Sequence, residues 1–80
     1  MIRVLIIDDH PLVQDGIKTM LQSESSVEIC GACKSGGEAL AFLEVNVPDI
    51  ILLDINLPDM DGLQLCERIR RQHANVKIIG

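Results

Sequence analysis

The chain has 80 residues, a hydrophobic content of 48% and a formal net charge of −5. This length allows one domain at most, and the acidic balance argues against a nucleic-acid-binding surface within these residues. No apolar run approaches the roughly 18–20 residues that a membrane-spanning helix needs. The three cysteines are an odd number, which predicts a reducing, cytoplasmic compartment rather than a set of disulfides.

The chain begins with a predicted strand and helix. Residues 3–7 are Arg3 and four apolar residues, and the acidic pair Asp8 and Asp9 follows them. Pro11 suits the first turn of a helix, where its missing N–H has no cost. The apolar residues at helical spacing after it are Val13, Ile17, Met20 and Leu21. We therefore expect this face to pack on the sheet, with Gly16 allowing a close approach.

A second strand and helix follow. Residues 27–32 alternate only partly, which is typical of a strand nearer a sheet edge. Ser35 and Glu38 have the spacing of a capping box, in which the serine is the N-cap and the glutamate lies three residues later. The helix that they open is expected to bury Ala39, Leu40, Phe42 and Leu43.

The third strand is the most apolar stretch of the chain. Residues 50–53 read Ile-Ile-Leu-Leu between turn formers, which predicts a strand buried on both faces. A third helix is expected after Gly62. Its inward residues would be Leu65, Cys66 and Ile69, and its solvent face would carry Glu67, Arg68, Arg70 and Arg71. Residues 76–79 predict a fourth strand.

These elements alternate as β-α-β-α-β-α-β, which predicts an α/β fold with a parallel sheet and right-handed crossovers. Three helices cover both faces of a four-stranded sheet poorly. We therefore expect residues 1–80 to be one domain that is incomplete at its C-terminal end. The alternative is that a second copy covers the bare sheet face, as a homodimer or a swapped oligomer.

Carboxylates end two of the predicted strands. Asp8 and Asp9 follow the first strand, and Asp54 follows the third. The carboxyl ends of neighbouring parallel strands meet at one edge, where open α/β sheets bind ligands. Two carboxylates about 4 Å apart repel by roughly 4 kcal/mol at an effective dielectric of about 20, so three of them need a cation. Oxygen ligands predict Mg²⁺ before Ca²⁺.

Other polar residues are interpreted as structural. Asp59 and Asp61 are expected to be turn and cap residues rather than ligands. Cys30 and Cys33 have the spacing of a redox motif, but they end a strand and no second pair accompanies them. His10 follows the acidic pair, a place from which it could line the site, but a cap or loop role is favoured.

With both strand ends in place, the pattern resembles the receiver domain of bacterial two-component response regulators. The matching residues are the acidic pair Asp8 and Asp9, the strand-end Asp54, and the segment Leu-Pro-Asp-Met-Asp-Gly at 57–62. Residues 6–13 are most similar to regulators that carry a C-terminal helix-turn-helix DNA-binding domain. The resemblance implies a flavodoxin-like, doubly wound sheet of order 2-1-3-4-5, here truncated after the fourth strand.

The resemblance also implies roles for single residues. Asp54 would be the phospho-acceptor, taking a phosphoryl group from a sensor histidine kinase. Asp9 and Asp54 would bind Mg²⁺ directly, Asp8 through water, and Asn56 through its backbone carbonyl. Asp8 would also orient the water that later hydrolyses the phosphate, and Met60 would plug the loop.

The protein is thus expected to be a signalling phospho-acceptor with self-dephosphorylation rather than an enzyme in the usual sense. It would control transcription through a DNA-binding domain outside these residues, with no membrane partner. Receivers carry a Ser or Thr and a Lys at the ends of their fourth and fifth strands. Both positions lie beyond Gly80. The sequence therefore does not predict whether residues 1–80 accept a phosphoryl group without that Ser or Thr and that Lys.

Two alternatives remain. A phosphatase of the haloacid-dehalogenase type also uses a strand-end aspartate and Mg²⁺, but it needs a second aspartate two residues later, where this chain has Asn56. A non-catalytic interaction or dimerisation module with a vestigial acidic site is the second alternative. The intact set of Asp8, Asp9 and Asp54 argues against it.

Overall fold

Four strands and three helices alternate in the computed structural model, which describes residues 1–80. The strands are β1 (Ile2–Ile7), β2 (Val27–Cys33), β3 (Ile50–Leu53) and β4 (Lys77–Ile79). The helices are α1 (Pro11–Leu21), α2 (Gly36–Val45) and α3 (Gly62–Gln72). Every strand begins and ends within one residue of its predicted bounds. No helix combines the length and the apolar character that crossing a membrane requires.

All neighbouring strands run parallel, in the order β2-β1-β3-β4. The predicted α/β, flavodoxin-like fold is thereby confirmed. Ile7 of β1 lies beside Leu53 of β3, so Asp8 and Asp54 emerge side by side at the carboxyl edge. The ladders continue one step past the strands, because the Asp8 N–H donates to the Cys33 carbonyl and the Asp54 N–H to the Ile7 carbonyl, each over 2.9 Å.

The main core lies on the sheet face that α2 and α3 cover. Alternate residues of a strand share a face, and this face carries Leu5, Ile7, Ile51 and Leu53. The helices add Ala39, Leu43, Leu65 and Ile69. None of these side chains is more than 6% exposed. Since full burial of one Leu or Ile contributes about 1.5–3 kcal/mol, this layer is what holds α2 and α3 on the sheet.

The opposite sheet face is covered only in part, so the prediction that β3 is buried on both faces is wrong. Ile50 and Leu52 are half buried. A groove of about 460 Å³ lies on this side, and its lining includes Ile17, Leu52 and Ile79. The reason is geometric. One helix is about 10 Å wide and strands are about 4.8 Å apart, so α1 alone spans about two of the strands.

The face of α1 that meets the sheet differs from the predicted one. Met20 is 71% exposed, whereas Gln14 is only 6% exposed. The Gln14 amide nitrogen donates to the backbone carbonyls of Asp8 (2.6 Å) and Cys33 (3.1 Å). These hydrogen bonds draw Gln14 to the sheet. Ile17 and Leu21 are half buried, as predicted, whereas the prediction is wrong for Val13 and Met20, which are exposed. A Cβ on Gly16 would meet no atom within 4 Å, so the expected close approach there is also wrong.

Candidate functional site

The carboxylates that end β1 and β3 meet at one point of the sheet edge. One ligand atom from each of Asp8, Asp9, His10 and Asp54 lies within 4.8 Å of the others. Asp8 is buried, and Asp9 and Asp54 are half buried. Carboxylates repel strongly at this spacing, so the cluster favours a positively charged partner. The predicted convergence of the three aspartates is therefore present in the fold.

His10 is part of this cluster, so the cap or loop role favoured from the sequence describes its position in the chain but not its side-chain contacts. Its Nδ1 atom lies 2.7 Å from Asp8 Oδ1. The same atom lies 3.2 Å from Asp9 Oδ1 and 3.4 Å from Asp54 Oδ2. Although His10 occupies the N-cap position of α1, its side chain makes no capping hydrogen bond. The hydrogen bond to Asp8, then the charge of Asp9, raise the pKa of His10 above its ordinary value.

Two carboxylate oxygens of the cluster lack a hydrogen-bond partner. Asp9 Oδ1 and Asp54 Oδ2 are both buried, and no donor meets them with hydrogen-bond geometry. Buried polar atoms without partners are costly and uncommon. Oxygen donors of this kind are the ligands that a hard divalent cation prefers. The donor set therefore fits Mg²⁺, with Asp9 and Asp54 as the side chains that have free oxygens to offer.

Asn56 lies in the loop that follows Asp54. Its N–H donates to Asp54 Oδ1 over 3.1 Å, and this bond orients the carboxylate whose other oxygen is unpartnered. Across the loop, Asn56 pairs with Asp61 in an isolated antiparallel bridge. The loop and Asp9 line an open hollow beside the acidic cluster. This hollow reaches Asp9, whereas Asp8 and Asp54 line the groove beside α1.

Gly62 sets the shape of the same loop. Its N–H donates to the Ile55 carbonyl over 2.9 Å. A Cβ at this position would lie 2.5 Å from Ile55 Cα and 2.9 Å from the Asp54 carbonyl oxygen. Both are backbone atoms that no side-chain rotation can move. Gly62 therefore shapes the loop through a close backbone contact that leaves no space for a side chain.

Asp59 and Asp61 are capping residues, as the sequence predicts. Asp61 accepts a hydrogen bond from the Leu63 N–H (3.0 Å) and caps its own helix, α3. Asp59 instead caps α2: its two carboxylate oxygens accept from the Gly36 and Gly37 N–H groups, each over 2.9 Å. These two hydrogen bonds hold the pKa of Asp59 below its ordinary value. The partner helix lies far back in the sequence, so no local signal could identify it.

Met60 packs beside Asp59 at the start of α2. It is half buried against the main core, and its side chain fills the space that a Cβ on Gly36 would need. Met60 and Asp59 together hold the loop after Asp54 against α2. The Met60 side chain, which was expected to fill the loop, thus packs between the loop and the start of α2.

The cysteines are free thiols in surroundings that suppress reactivity. Burial raises the pKa of Cys33 to about 11. Burial also raises the pKa of Cys30, which occupies the irregular step where β2 shifts register against β1. Since the thiolate is the reactive form, these environments support the structural interpretation of the pair.

A family model for the response regulator receiver domain matches residues 4–80. The response regulator protein VraR of Staphylococcus saprophyticus is 36% identical over 78 residues, which cover 98% of this chain and 37% of VraR. The chain therefore spans less than two fifths of the length of this curated relative.

Two solved structures share the fold across almost the whole chain. One is RcsB from Salmonella enterica serovar Typhimurium, bound to promoter rprA in the presence of phosphomimetic BeF₃⁻. It has a TM-score of 0.90 and 27% identity, with 98% of this chain and 66% of that one covered. The other is the crystal structure of histidine kinase ThkA in complex with response regulator protein TrrA. The TM-score is 0.86 and the identity 36%, with 98% of this chain and 66% of that one covered.

The strand order, the paired carboxylates at the sheet edge and the family match over residues 4–80 agree with one another. The chain belongs to the response regulator receiver domain family.

Proposed function

We propose that this domain accepts a phosphoryl group on Asp54 from a sensor histidine kinase. The observation that carries the proposal is the convergence of Asp8, Asp9 and Asp54 with two buried, unpartnered oxygens. One of these oxygens belongs to Asp54, whose two carboxylate oxygens would be shared between the ion and the incoming phosphoryl group. Asp54 and Asp8 line the groove beside α1, which gives a phosphodonor access to the Asp54 carboxylate.

The chemistry is a transfer between two nucleophiles. An Asp54 oxygen attacks the phosphorus of a phosphohistidine, a new P–O bond forms, and the P–N bond to the donor imidazole breaks. The donor imidazole keeps the bonding electron pair. The Asn56 N–H donates to Asp54 Oδ1 over 3.1 Å and so orients the Asp54 carboxylate for this attack. Its position is also set by the backbone ladder to Ile7.

Asp9 and Asp54 are proposed to hold Mg²⁺ directly, Asp8 through water and Asn56 through its backbone carbonyl. When bound, the ion would neutralise charge on the transferring phosphoryl oxygens. Asp8, buried beside these residues, is proposed to orient the water that later hydrolyses the aspartyl phosphate. Turnover of this kind is self-dephosphorylation and serves to end a signal.

The partners follow by analogy with the similar structures. TrrA was crystallised in complex with a histidine kinase, and the RcsB structure was solved bound to promoter rprA. We propose a histidine kinase as the phosphodonor for this domain. The domain's net charge of −5 disfavours direct DNA contact. We therefore propose that a further domain of a longer protein regulates transcription. We also propose a cytoplasmic location, because the three cysteines are free thiols and thiols stay reduced in that compartment.

The test is intact mass after incubation with a small-molecule phosphodonor and Mg²⁺. We expect one added phosphoryl group on the protein and none on Asp54→Asn. Asp15→Asn is the matched control, because Asp15 is an exposed carboxylate on α1 outside the cluster. It should be modified as the wild type is. Equal modification of the Asp54→Asn variant would contradict the proposal.

A second candidate, an association module, has one observation in its favour. The groove beside α1 is lined largely by apolar residues, and Leu12 on the same helix is 85% exposed. Apolar surface of this kind favours contact with a second copy. Sedimentation velocity tests it: a dimer that Ile17→Glu converts to a monomer supports this candidate, and a wild-type monomer at all concentrations excludes it.

A further inference from the structure

The His10 ring lies where a cation bound to the three aspartates would lie. Its Nδ1 atom is 2.7 Å from Asp8 Oδ1 and 3.2 Å from Asp9 Oδ1. It is also 3.4 Å from Asp54 Oδ2. One ring nitrogen therefore faces one oxygen of each carboxylate. Mg²⁺ bound directly to the Asp9 and Asp54 oxygens needs metal–oxygen distances of about 2.0–2.1 Å, and the water that links it to Asp8 would lie beside Asp8 Oδ1. The ring nitrogen occupies the space that the ion and this water would fill.

Nothing else in the fold holds the ring in this position. The His10 side chain makes no capping bond to α1, and its one hydrogen-bond partner is Asp8 Oδ1. The side chain is 59% exposed, so it borders solvent. Rotation about its χ1 bond would release the ring from the cluster without moving the backbone. The backbone N–H of His10 also donates to Asp8 Oδ1 over 2.8 Å. This hydrogen bond keeps the His10 backbone in place when the ring rotates away.

We propose that His10 is a displaceable plug of the cation site, which competes with Mg²⁺ for the oxygens of Asp8, Asp9 and Asp54. This inference rests on the proposed function, since it assumes that these aspartates bind the ion. The plug satisfies part of the carboxylate charge while the ion is absent. The ring nitrogen also lies 3.4 Å from Oδ2 of Asp54, the proposed phospho-acceptor. Displacement of the ring by the cation would therefore expose Asp54 at the same time. The cost of displacing the ring lowers the apparent affinity for Mg²⁺.

The experiment is an isothermal calorimetric titration with Mg²⁺, because the chain has no Trp or Tyr to report binding by fluorescence. His10→Ala and His10→Ser remove the ring, and Ser also retains a good N-cap for α1. Each is expected to bind Mg²⁺ about tenfold more tightly than the wild type, which corresponds to about 1.4 kcal/mol. His73→Ala is the matched control, since this histidine ends α3 and lies outside the cluster. It should leave the affinity unchanged.

A second readout follows the ring itself in the wild type. In long-range ¹H–¹⁵N spectra, Mg²⁺ should shift the His10 ring signals and leave those of His73 in place. Weaker binding by His10→Ala would make His10 a ligand and overturn the plug. Unchanged affinity together with unshifted ring signals would also overturn it. Asp9→Asn is the control for the metal site itself. If the wild type, His10→Ala and Asp9→Asn all fail to bind Mg²⁺, the proposed metal site is wrong.

Discussion

At the scale of single residues, two glycines of this chain have opposite roles. Gly62 has backbone atoms of Ile55 and Asp54 where its Cβ would be, at 2.5–2.9 Å. Gly16 has empty space there and lies within a helix. The φ angles of both lie outside the left-handed region. The difference between them is therefore steric, and the same Gly→Ala change should have opposite signs at the two sites.

We expect Gly62→Ala to lower the free energy of unfolding by about 1–3 kcal/mol, the usual range for forcing a methyl group into occupied space. Gly16→Ala should raise it by about 0.5–1 kcal/mol, because alanine loses less backbone entropy in a helix. Urea unfolding followed by circular dichroism measures both. A Gly62→Ala protein as stable as the wild type would show that the loop after Asp54 has room to move.

The residues that the sequence did not predict are polar ones in contact with other elements. Gln14 was omitted from the sheet-facing side of α1 because periodicity is read from apolar residues. Its position depends on two carbonyl acceptors at the ends of β1 and β2. The cap or loop role favoured for His10 misses its contacts with Asp9 and Asp54. A side-chain rotamer depends on its neighbours in space, and these become known only once β1 and β3 are paired.

At the scale of elements, the loop after β3 is tied to the start of α2. Asp59 accepts hydrogen bonds from the Gly36 and Gly37 N–H groups, and Met60 packs beside them. Ser35 completes this helix start by accepting from the Glu38 N–H over 3.1 Å. The predicted capping box is formed only on this side, since Glu38 accepts from the Lys34 N–H instead of from Ser35.

This link predicts a pH-dependent contribution to stability. The pKa of Asp59 is lowered in the folded state by the two N–H groups. Its stabilising effect is therefore complete above the ordinary aspartate pKa and is lost as the pH falls through the lowered, folded-state pKa. We expect Asp59→Ala to lower the urea midpoint at pH 7. The difference from the wild type should shrink as the solution is acidified below the folded-state pKa.

Asp15→Asn serves as the control for this comparison, since it removes one carboxylate from an exposed position on α1. It should keep the wild-type midpoint at pH 7. A gap between wild type and Asp59→Ala that stays constant down to the lowest pH would mean that the charge of Asp59 does not act on α2.

At the scale of the whole molecule, the fold could be predicted from the sequence because its signals are local. Strand bounds followed from apolar runs, and helix starts followed from Pro11, Ser35 and Asp61. Parallel strand order then brought Asp8 and Asp54 together without any knowledge of side-chain contacts. What the sequence overstated was burial. The run at residues 50–53 is apolar enough for two covered faces, but only the α2 and α3 side is fully covered.

Asp54 is proposed to be the single phospho-acceptor among several neighbouring groups at the sheet edge. Asp8 and Asp9 lie within the same cluster, and so does the His10 nitrogen, which is itself a nucleophile. A measurement that gives only total mass does not separate these sites. The one that does is peptide mapping after borohydride reduction, which converts an aspartyl phosphate to homoserine and leaves free carboxylates unchanged.

We expect homoserine at position 54 alone after treatment with a phosphodonor and Mg²⁺. The reason is that the Asn56 N–H orients the Asp54 carboxylate, which leaves its other oxygen unpartnered. Asp9 also has an unpartnered oxygen, but no backbone N–H orients it, and Asp8 Oδ1 already accepts from the His10 backbone N–H and meets the ring nitrogen. Omission of Mg²⁺ should abolish the product. Homoserine at position 8 or 9, or a phosphoryl group that resists borohydride and maps to His10, would contradict this account of the site.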